Sequence, residues 1–384
     1  MATENNNKNL NVPNLRFPEF SGEWSLEELK DIATLSKGSG ISKDQLSDSG
    51  NPCILYGELY TKYKSEIIRE VVSKTDIDSF NLVQSKANDV IIPCSGEAAI
   101  EIATARCVTM DDILLGGDLN IIRLRDQDGG FFAYQLNGKR KVDIAKVAQG
   151  VSVVHLYGEH LKRVKVAYPS LMEQQKISSF LTLLDERIAT QIKIIEDLKK
   201  LKSAIRAKLF SQIENNCESN IEIRDMLNYE QPSEYIVKST EYSSEYKIPV
   251  LTANKAFILG YTDEEFGIYR KGECIILDDF TMDVKYVSFP FKVKSSAIKI
   301  LTPKSGVDLY FMFEYIQYLC LVAEEHKRHY ISEIEPISIA NIPFDEQRNI
   351  SNVLRSIDNR IEISNLELSL YNKQKQFLLS QMFI

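Results

Sequence analysis

The residues of this chain that could do chemistry are scattered, and they form no recognisable catalytic set. The sequence has no GxxxxGK(S/T) phosphate-binding loop, and Gly38-Ser39-Gly40 is only a bare GxG. It also has no Asn/Asp-Pro-Pro-aromatic run of the kind that adenine methyltransferases carry. His326 and His329 could ligate a metal from one helical face, but the chain has only 4 histidines. Asp278-Asp279 could form an acid pair, although a solvated strand end is the favoured interpretation. We therefore predict a non-catalytic chain that binds no cofactor and no metal.

Several loops instead mix basic, hydroxyl, amide and aromatic side chains, a mixture that can bind phosphate groups and base edges of DNA. Asn254 could pair bidentately with adenine, and Asp279 could accept a hydrogen bond from cytosine N4. A solvated surface side chain is the alternative for each residue taken alone. The predicted DNA-binding residues are Lys37, Ser39, Lys43, Tyr60, Lys62, Tyr63, Lys64, Ser95, Lys139, Arg140, Lys141, Thr252, Asn254, Lys255, Asp279, Thr281, Lys285, Lys327, Arg328 and His329.

The elements that must position these loops are short strands. Residues 21–168 alternate short apolar runs with turn signals, and residues 220–341 follow the same plan, which predicts two mixed α+β domains. The interiors of the two regions do not resemble each other in sequence. A polar arm at 1–20 and a polar linker at 213–219 are expected to flank them. The apolar runs predicted as strands are 53–59, 89–94, 119–125, 248–253, 273–278 and 296–301.

One segment occurs twice, about 173 residues apart, as PSLMEQQKISSFLTLLDERI from residue 169 and PFDEQRNISNVLRSIDNRI from residue 343. Apolar residues then recur in steps of three and four, which predicts long helices over 169–212 and 342–384. Because each apolar stripe needs a partner and the other copy is nearest, we predict a two-helix antiparallel coiled coil with an internal pseudo-twofold repeat. The predicted seam residues are Ile177, Leu181, Leu184, Ile188, Ile192, Ile195, Leu198, Ile205, Leu209, Ile350, Leu354, Ile357, Ile361, Leu368 and Leu378. Duplex DNA is a common target with such symmetry.

The bulk composition restricts the class of protein. A length of 384 residues suggests two to three domains, and 44% apolar residues predict packed cores. A net charge of −8 argues against a protein that holds DNA alone by neutralising phosphates, so basic groups must act locally or come from a partner. The 6 cysteines are scattered without a CxxC, which indicates reduced thiols in the cytoplasm. No apolar run reaches membrane-spanning length, and no signal-peptide core is present, so no membrane association is expected.

Taken together, these features resemble the specificity subunit (HsdS) of a type I restriction–modification system. The resemblance covers nearly the whole chain and rests on the order variable domain, repeated helix, variable domain, repeated helix. The matched motif is P-x(2–3)-E-Q-x(2)-I-S-x(2)-L-x(3)-D-x-R-I, which begins at Pro169 and at Pro343. The runs KSAIRAKLF and KQFLLSQMF also fit the ends of the helices in that family.

The resemblance implies two target-recognition domains, at 21–168 and 220–341, separated by the antiparallel helix pair. Each domain would read one half of a bipartite double-stranded DNA site. The expected partners are DNA, two adenine-methyltransferase subunits and restriction subunits, and those partners would use S-adenosylmethionine and, for restriction, ATP with magnesium. The main alternative is a coiled-coil interaction scaffold whose two end domains bind protein. An enzyme with an unrecognised site is a third possibility.

Overall fold

The computed structural model describes residues 11–150, 153–252, 257–322 and 330–384. The chain forms two compact units, one of Met1–Lys193 with Leu366–Ile384 and one of Ile194–Asn365. Each unit holds one of the strand-rich regions together with parts of both long helices. The mixed α+β class predicted from the sequence is confirmed. In the parts of the chain that the model describes, no helix is both long enough and apolar enough to cross a membrane.

The first unit builds its strand-rich domain from short strands and helices, and the first long helix begins in it. Its strands are β1 (Ser25–Glu28), β2 (Ala33–Lys37), β3 (Asn51–Ile54), β4 (Ile67–Ile68), β5 (Ser73–Thr75), β6 (Asp89–Pro93), β7 (Ser95–Gly96), β8 (Arg106–Val108), β9 (Leu114–Leu115), β10 (Leu119–Leu124), β11 (Val154–His155) and β12 (Lys165–Tyr168). Its helices are α1 (Leu29–Ile32), α2 (Glu58–Thr61), α3 (Ala99–Ile102), α4 (Gly129–Asn137), α5 (Lys141–Val147), α6 (Gly158–Leu161) and the start of α7 (Leu171–Asn216). Two 3₁₀ turns lie at Lys43–Gln45 and Ser79–Asn81.

The core of the first unit lies between a five-stranded sheet, in the order β2-β10-β6-β8-β4, and helix α4. A smaller sheet in the order β5-β3-β9 stands beside it. Helix α4 begins where the Asp128 carboxylate accepts a hydrogen bond of 2.6 Å from the Phe131 amide, which satisfies one of the free amides of its first turn. The helix then buries Phe131, Phe132 and Tyr134 completely. This cap and this aromatic face fix the helix on the sheet.

The second unit has fewer elements. Its strands are β13 (Asn220–Glu222), β14 (Leu227–Glu230), β15 (Ile248–Leu251), β16 (Ile258–Thr262), β17 (Cys274–Asp278), β18 (Val284–Val287), β19 (Lys292–Val293), β20 (Ile298–Pro303) and β21 (Ser338–Ala340). Its helices, besides the end of α7, are α8 (Ile223–Met226), α9 (Leu309–Tyr318) and the start of α10 (Phe344–Gln381). A 3₁₀ turn lies at Pro232–Tyr235 and a π-helical turn at Tyr330–Ile334.

The two units repeat one topology although their interiors do not resemble each other in sequence. The sheet order β14-β20-β17-β18 repeats β2-β10-β6-β8, with antiparallel neighbours throughout. The sheet β16-β15-β19 repeats β5-β3-β9, each with one antiparallel and one parallel pair. The cap is also repeated, because Asp308 accepts a hydrogen bond from the Phe311 amide at the start of α9. The structural repeat therefore includes the sheets of the two units, which the sequence repeat does not.

Both predicted long helices are present, and they are antiparallel within each unit. In the first unit, Asp185 of α7 contacts Lys375 of α10, and Gln191, one and a half turns further along α7, contacts Glu367, earlier on α10. In the second unit, Lys202 of α7 contacts Asp358 of α10, and Leu209, later on α7, lines one cavity with Ile350, earlier on α10. Helix α7 ends at Asn216, so residues 213–216 of the predicted linker are helical instead. Ile213 explains the extension, because it is buried in the core of the second unit.

Most of the predicted seam residues are buried or half-buried, but Ile192 is not. Its side chain is 38% exposed. The neighbouring Gln191 takes the inward position, where it is buried and its amide donates to a Glu367 carboxylate oxygen at 2.9 Å. A polar contact between the helices therefore replaces an apolar one at this level. The prediction for Ile192 was wrong because the spacing of apolar residues cannot show that a polar residue occupies the buried position.

All six predicted strand segments contain strand residues, but in the run 53–59 only Cys53 and Ile54 belong to a strand. Strand β3 ends at Ile54, and α2 begins at Glu58. The Glu58 carboxylate turns back and accepts a hydrogen bond of 3.0 Å from the Leu55 amide. This bond closes a turn where the apolar pattern alone suggested a continuous strand.

Candidate nucleic-acid interface

An open cleft of about 950 Å³ lies in the first unit where three segments meet. These segments are the loop after β2, the turn that leads from β3 into α2, and the glycine turn after β9. The cleft brings together Lys43, Tyr60 and Lys62 of the predicted DNA-binding residues. Its lining residues are Gly40, Ile41, Ser42, Lys43, Gln45, Leu46, Leu55, Tyr56, Gly57, Glu58, Tyr60, Thr61, Lys62, Gly116, Gly117 and Asp118.

Backbone contacts between glycines hold two of these segments together. A side chain at Gly38 would place its Cβ 2.0 Å from the Gly116 carbonyl oxygen, so only glycine fits there. The Ser39 amide donates to the Leu115 carbonyl oxygen at 2.9 Å. The Ser39 hydroxyl accepts from the Val83 amide at 2.7 Å. The predicted DNA-binding residue Ser39 is thus occupied in shaping the loop.

The charges that line the cleft balance each other. Lys43 is exposed, whereas the Lys62 ammonium lies 2.7 Å from a Glu58 carboxylate oxygen and also donates to the Ser73 hydroxyl. Asp118 adds a second carboxylate, which accepts from the Ser95 hydroxyl at 3.0 Å. Because two ammonium groups face two carboxylates, the cleft is suited to hydrogen bonding and not to strong attraction of phosphates.

Two tyrosines provide flat faces and hydroxyl groups at the same cleft. Tyr56 is 37% exposed, and Tyr60 is half-buried, with a pKa that burial raises above its usual value. The Tyr60 hydroxyl therefore remains protonated at neutral pH and can donate a hydrogen bond. The sequence interpretation included Tyr60 but missed Tyr56, since it placed residue 56 inside a strand. The motif Tyr-Gly followed by an acid was the available signal of a turn.

Two residues of this domain that were predicted to bind DNA are buried, so the prediction was wrong for them. Tyr63 is 8% exposed and packs in an apolar cluster with Leu59 and Ile68, where burial raises its pKa to about 12. It is therefore a core residue. Ser95 is buried as well, and its hydroxyl is bonded to Asp118. Lys37 and Lys64 are exposed, but neither lines the cleft.

The basic run 139–141 lies at the turn between α4 and α5 and does not line the cleft. Lys139 is exposed, and an Arg140 guanidinium nitrogen lies 3.3 Å from an Asp143 carboxylate oxygen. Burial lowers the pKa of Lys141, because an ammonium group loses hydration there. The structure therefore does not bring residues 139–141 together with the predicted DNA-binding residues that line the cleft.

In the second domain, Asp278 and Asp279 are buried and hold the fold, which corrects both interpretations of this pair. An Asp279 carboxylate oxygen lies 3.1 Å from the Lys299 ammonium, and Asp279 also accepts from the Tyr330 amide at 2.7 Å. Asp278 accepts from the amides of the two residues that follow Asp279. Neither carboxylate is a solvated strand end or is available to a cytosine.

The remaining described candidates of the second domain lie nearer the surface. Thr281 is exposed, and its hydroxyl is 3.3 Å from an Asp283 carboxylate oxygen. Lys285 is half-buried on β18, and Thr252 follows β15 directly. Asn254, Lys255, Lys327, Arg328, His329 and His326 lie outside the described residues. Within the described ranges, no group of three or more histidine, cysteine, aspartate or glutamate side chains could hold a metal ion.

Comparison with known proteins matches part of the chain to a family model and the chain to two specificity subunits. Residues 21–200 match the model of the type I restriction modification DNA specificity domain. The chain is 37% identical over 171 residues to the EcoR124I/EcoR124II specificity subunit of Escherichia coli, a match that spans 42% of that relative. It is 24% identical to the putative MjaX specificity subunit of Methanocaldococcus jannaschii over 97% of this chain and 96% of that one.

The fold agrees over the full length with a solved structure. The type I restriction–modification S subunit from M. genitalium superposes with a TM-score of 0.66 at 18% identity, covering 97% of this chain and 99% of that one. Residues 21–200 are therefore a type I restriction modification DNA specificity domain, and the whole chain is similar to a specificity subunit. A second structure, from a study of complex assembly of the type I R-M system, superposes with a TM-score of 0.56 at 12% identity and 94% coverage of this chain.

The repeated topology relates one wall of the cleft to a position in the second domain. In the first domain, the turn after β3 forms that wall. In the second domain, Thr252 directly follows β15, the strand equivalent to β3, and residues 253–256 lie outside the described ranges. Thr252 therefore stands at the sequence position that corresponds to the start of the cleft wall. Gln45, Thr61 and Asp118, which the sequence interpretation missed, extend the same surface in the first domain.

Proposed function

We propose that this chain reads a bipartite double-stranded DNA site and guides adenine methylation and cleavage that other subunits perform. The observation that carries the proposal is that two domains of one topology, with different loops, sit on a duplicated helix. A repeated framework with different interiors is what two readers of two different half-sites require. The cleft between β2, α2 and β9 is the proposed reading surface of the first domain, and the chain segment that follows β15 is its proposed counterpart.

The proposed partners are DNA, two methyltransferase subunits and restriction subunits. Exposed apolar side chains on the long helices support a protein partner, because they lie outside the buried seam. In the first unit these include Leu183 on α7 and Leu370 and Phe377 on α10, which are 62%, 62% and 59% exposed. S-adenosylmethionine, ATP and magnesium are proposed to bind to the partner subunits.

Exchange of one domain tests the proposal. Residues 25–165 would be replaced by the corresponding residues of a related specificity subunit, and the complex with its methyltransferase would modify a randomised plasmid library. We expect one half of the methylated motif to change and the other half to persist. A motif that changes in both halves, or in neither, would contradict two independent readers.

Salt dependence separates this function from a protein-binding scaffold. DNA binding by the assembled complex should weaken steeply as salt rises, because bound phosphates release counterions. A complex that binds no duplex at low salt, while the chain still binds protein through its end domains, would favour the scaffold. Methyl transfer by the purified chain alone would instead reveal an enzyme.

A further inference from the structure

Two buried ionic clusters stand at positions related by the repeat. The first junction consists of Glu66, Tyr134, Asp185 and Lys375. The Lys375 ammonium lies 2.6 Å from a Glu66 carboxylate oxygen and 2.6 Å from an Asp185 carboxylate oxygen. The Tyr134 hydroxyl donates to the other Asp185 oxygen at 2.8 Å. Both carboxylates are less than 9% exposed. The charges therefore satisfy each other away from water.

The second junction consists of Lys202, Arg206, Tyr310, Glu314 and Asp358. The Lys202 ammonium lies 2.7 Å from a Glu314 carboxylate oxygen and 2.6 Å from an Asp358 carboxylate oxygen. The Tyr310 hydroxyl donates to Asp358, and the Arg206 guanidinium donates to the second Glu314 oxygen at 2.7 Å. Glu314 is fully buried. The same lysine–aspartate pair thus recurs with a different set of neighbours.

The lysines and aspartates of the two junctions are equivalent residues of the repeat. Asp185 and Asp358 are 173 residues apart, as are Lys202 and Lys375. Each long helix therefore carries one aspartate and, 17 residues later, one lysine. In each junction the aspartate comes from one helix and the lysine from the other. Because the pairing is reciprocal, the two junctions can form together only in one alignment of the helices.

A buried charge pair selects an alignment more sharply than an apolar seam does. Apolar side chains tolerate a shift along the seam, whereas a charge that loses its partner inside the protein is strongly destabilising. A slip of one helical turn moves an ammonium by about 5.4 Å, which takes it out of hydrogen-bond range of its carboxylate. The junctions therefore resist slipping.

Each junction also fastens a reading domain to both helices. Glu66 and Tyr134 belong to the first domain, and Tyr310 and Glu314 to the second. We propose that the lysine–aspartate pairs of the two junctions are positioning residues that set the spacer length between the two DNA half-sites. This inference rests on the proposed function, since a spacer exists only if each domain reads a half-site.

Paired neutral substitutions test the inference while removing one charge of each sign from a junction. In the first junction, Asp185→Asn with Lys375→Met leaves Glu66 buried, where desolvation raises the pKa of its carboxyl group and the Arg106 charge opposes that rise. In the second junction, Asp358→Asn with Lys202→Met leaves Glu314 paired with Arg206. The matched control is Asp197→Asn with Lys200→Met, an exposed pair on the same helix with a nitrogen–oxygen distance of 4.0 Å.

The measurement is methylation by the complete complex of a plasmid library in which both half-sites are fixed and only the spacer varies. The unmodified complex first defines its site on a randomised library. We expect each double variant to keep both half-sites but to lose about tenfold of its preference for the native spacer over spacers one base pair longer or shorter. The control pair should keep the full preference.

A folded double variant with the native spacer preference would overturn the inference. If a double variant does not fold, Asp185→Asn with Asp358→Asn decides, because both lysines then keep one carboxylate partner and the shapes are unchanged. This milder variant should lose part of the preference, and full retention would overturn the inference as well. An unmodified complex that recognises no bipartite site would instead contradict the proposed function.

Discussion

The first and second units share their strand order but stabilise equivalent positions with different side chains. Tyr134 and Glu314 both stand six residues after the capping aspartate of α4 or α9, yet one supplies a hydroxyl and the other a carboxylate to its junction. Tyr310 likewise occupies the position of Gly130, where a Cβ would lie 2.3 Å from the Ser178 hydroxyl. The helices thus contribute a lysine and an aspartate to both junctions, whereas the two domains contribute different side chains.

A second pair of equivalent positions shows the same contrast. The residue after β17 is Asp279, which forms a buried ion pair with Lys299 on β20. The residue after β6 is Cys94, and the second residue of β10 is Asn120, which is buried and donates to the Leu156 carbonyl oxygen at 2.9 Å. One topology therefore accepts either two neutral side chains or an ion pair at these two positions. The backbone pairing is retained while the chemistry inside it varies.

The largest difference between the units should appear when the lysine of each junction is removed. Lys375→Met leaves two carboxylates without a cation in direct contact, which should destabilise the first unit by about 3–5 kcal/mol. Lys202→Met should destabilise the second unit by less, because Arg206 still pairs with Glu314. Calorimetric unfolding of each variant measures this. Equal losses would mean that Arg206 does not compensate.

The ion pair of Asp279 and Lys299 in the second unit should be replaceable by the cysteine and asparagine that stand at these positions in the first unit. Asp279→Cys alone leaves the buried Lys299 ammonium unpaired and should cost about 3 kcal/mol. Adding Lys299→Asn removes that charge and should restore much of the loss. A double-mutant cycle by urea unfolding measures the coupling. Additive losses would show that the two positions are not equivalent to Cys94 and Asn120.

The destabilisation by Lys375→Met should depend on pH. Burial raises the pKa of Glu66 in the folded state, so the folded protein binds this proton more tightly than the unfolded chain does. Stability from this group therefore falls as pH rises from the unfolded pKa through the folded one. Without Lys375 the folded pKa rises further, so the variant should be less destabilised at about pH 5 than at about pH 8. A penalty that is the same at both pH values would argue against a charged Glu66.

The smallest effects should distinguish the two tyrosines near the cleft of the first unit. Tyr60→Phe should leave stability unchanged within about 0.5 kcal/mol and weaken DNA binding, because its hydroxyl faces the cleft. Tyr63→Phe loses one long hydrogen bond of 3.4 Å to the Val72 amide and should cost less than about 1 kcal/mol without altering DNA affinity. Thermal unfolding and fluorescence anisotropy measure the two quantities. The reverse pattern would place the reading surface elsewhere.

The sequence determined the elements that depend on local pattern. Steps of three and four predict both long helices, and the repeated motif places them 173 residues apart, so their antiparallel pairing followed from the need of each stripe for a partner. Strands such as β6, β10 and β17 were predicted because their apolar runs are short and bounded by turn signals. Each of these helices and strands is defined by a pattern of residues that are close to one another in the chain.

Only the tertiary structure decided which polar groups are inside. Asp279 and Tyr63 looked like surface contacts because their partners, Lys299 and the Val72 amide, are not marked by any spacing. Gln191 displaced Ile192 from the seam because Glu367 of the other helix accepts its hydrogen bond. The sequence indicated a shared plan of short strands in the two domains, but not their common strand order, since a β-sheet conserves backbone pairing and not side-chain identity. Contacts between distant residues fix burial and partnership, and those contacts exist only in the folded chain.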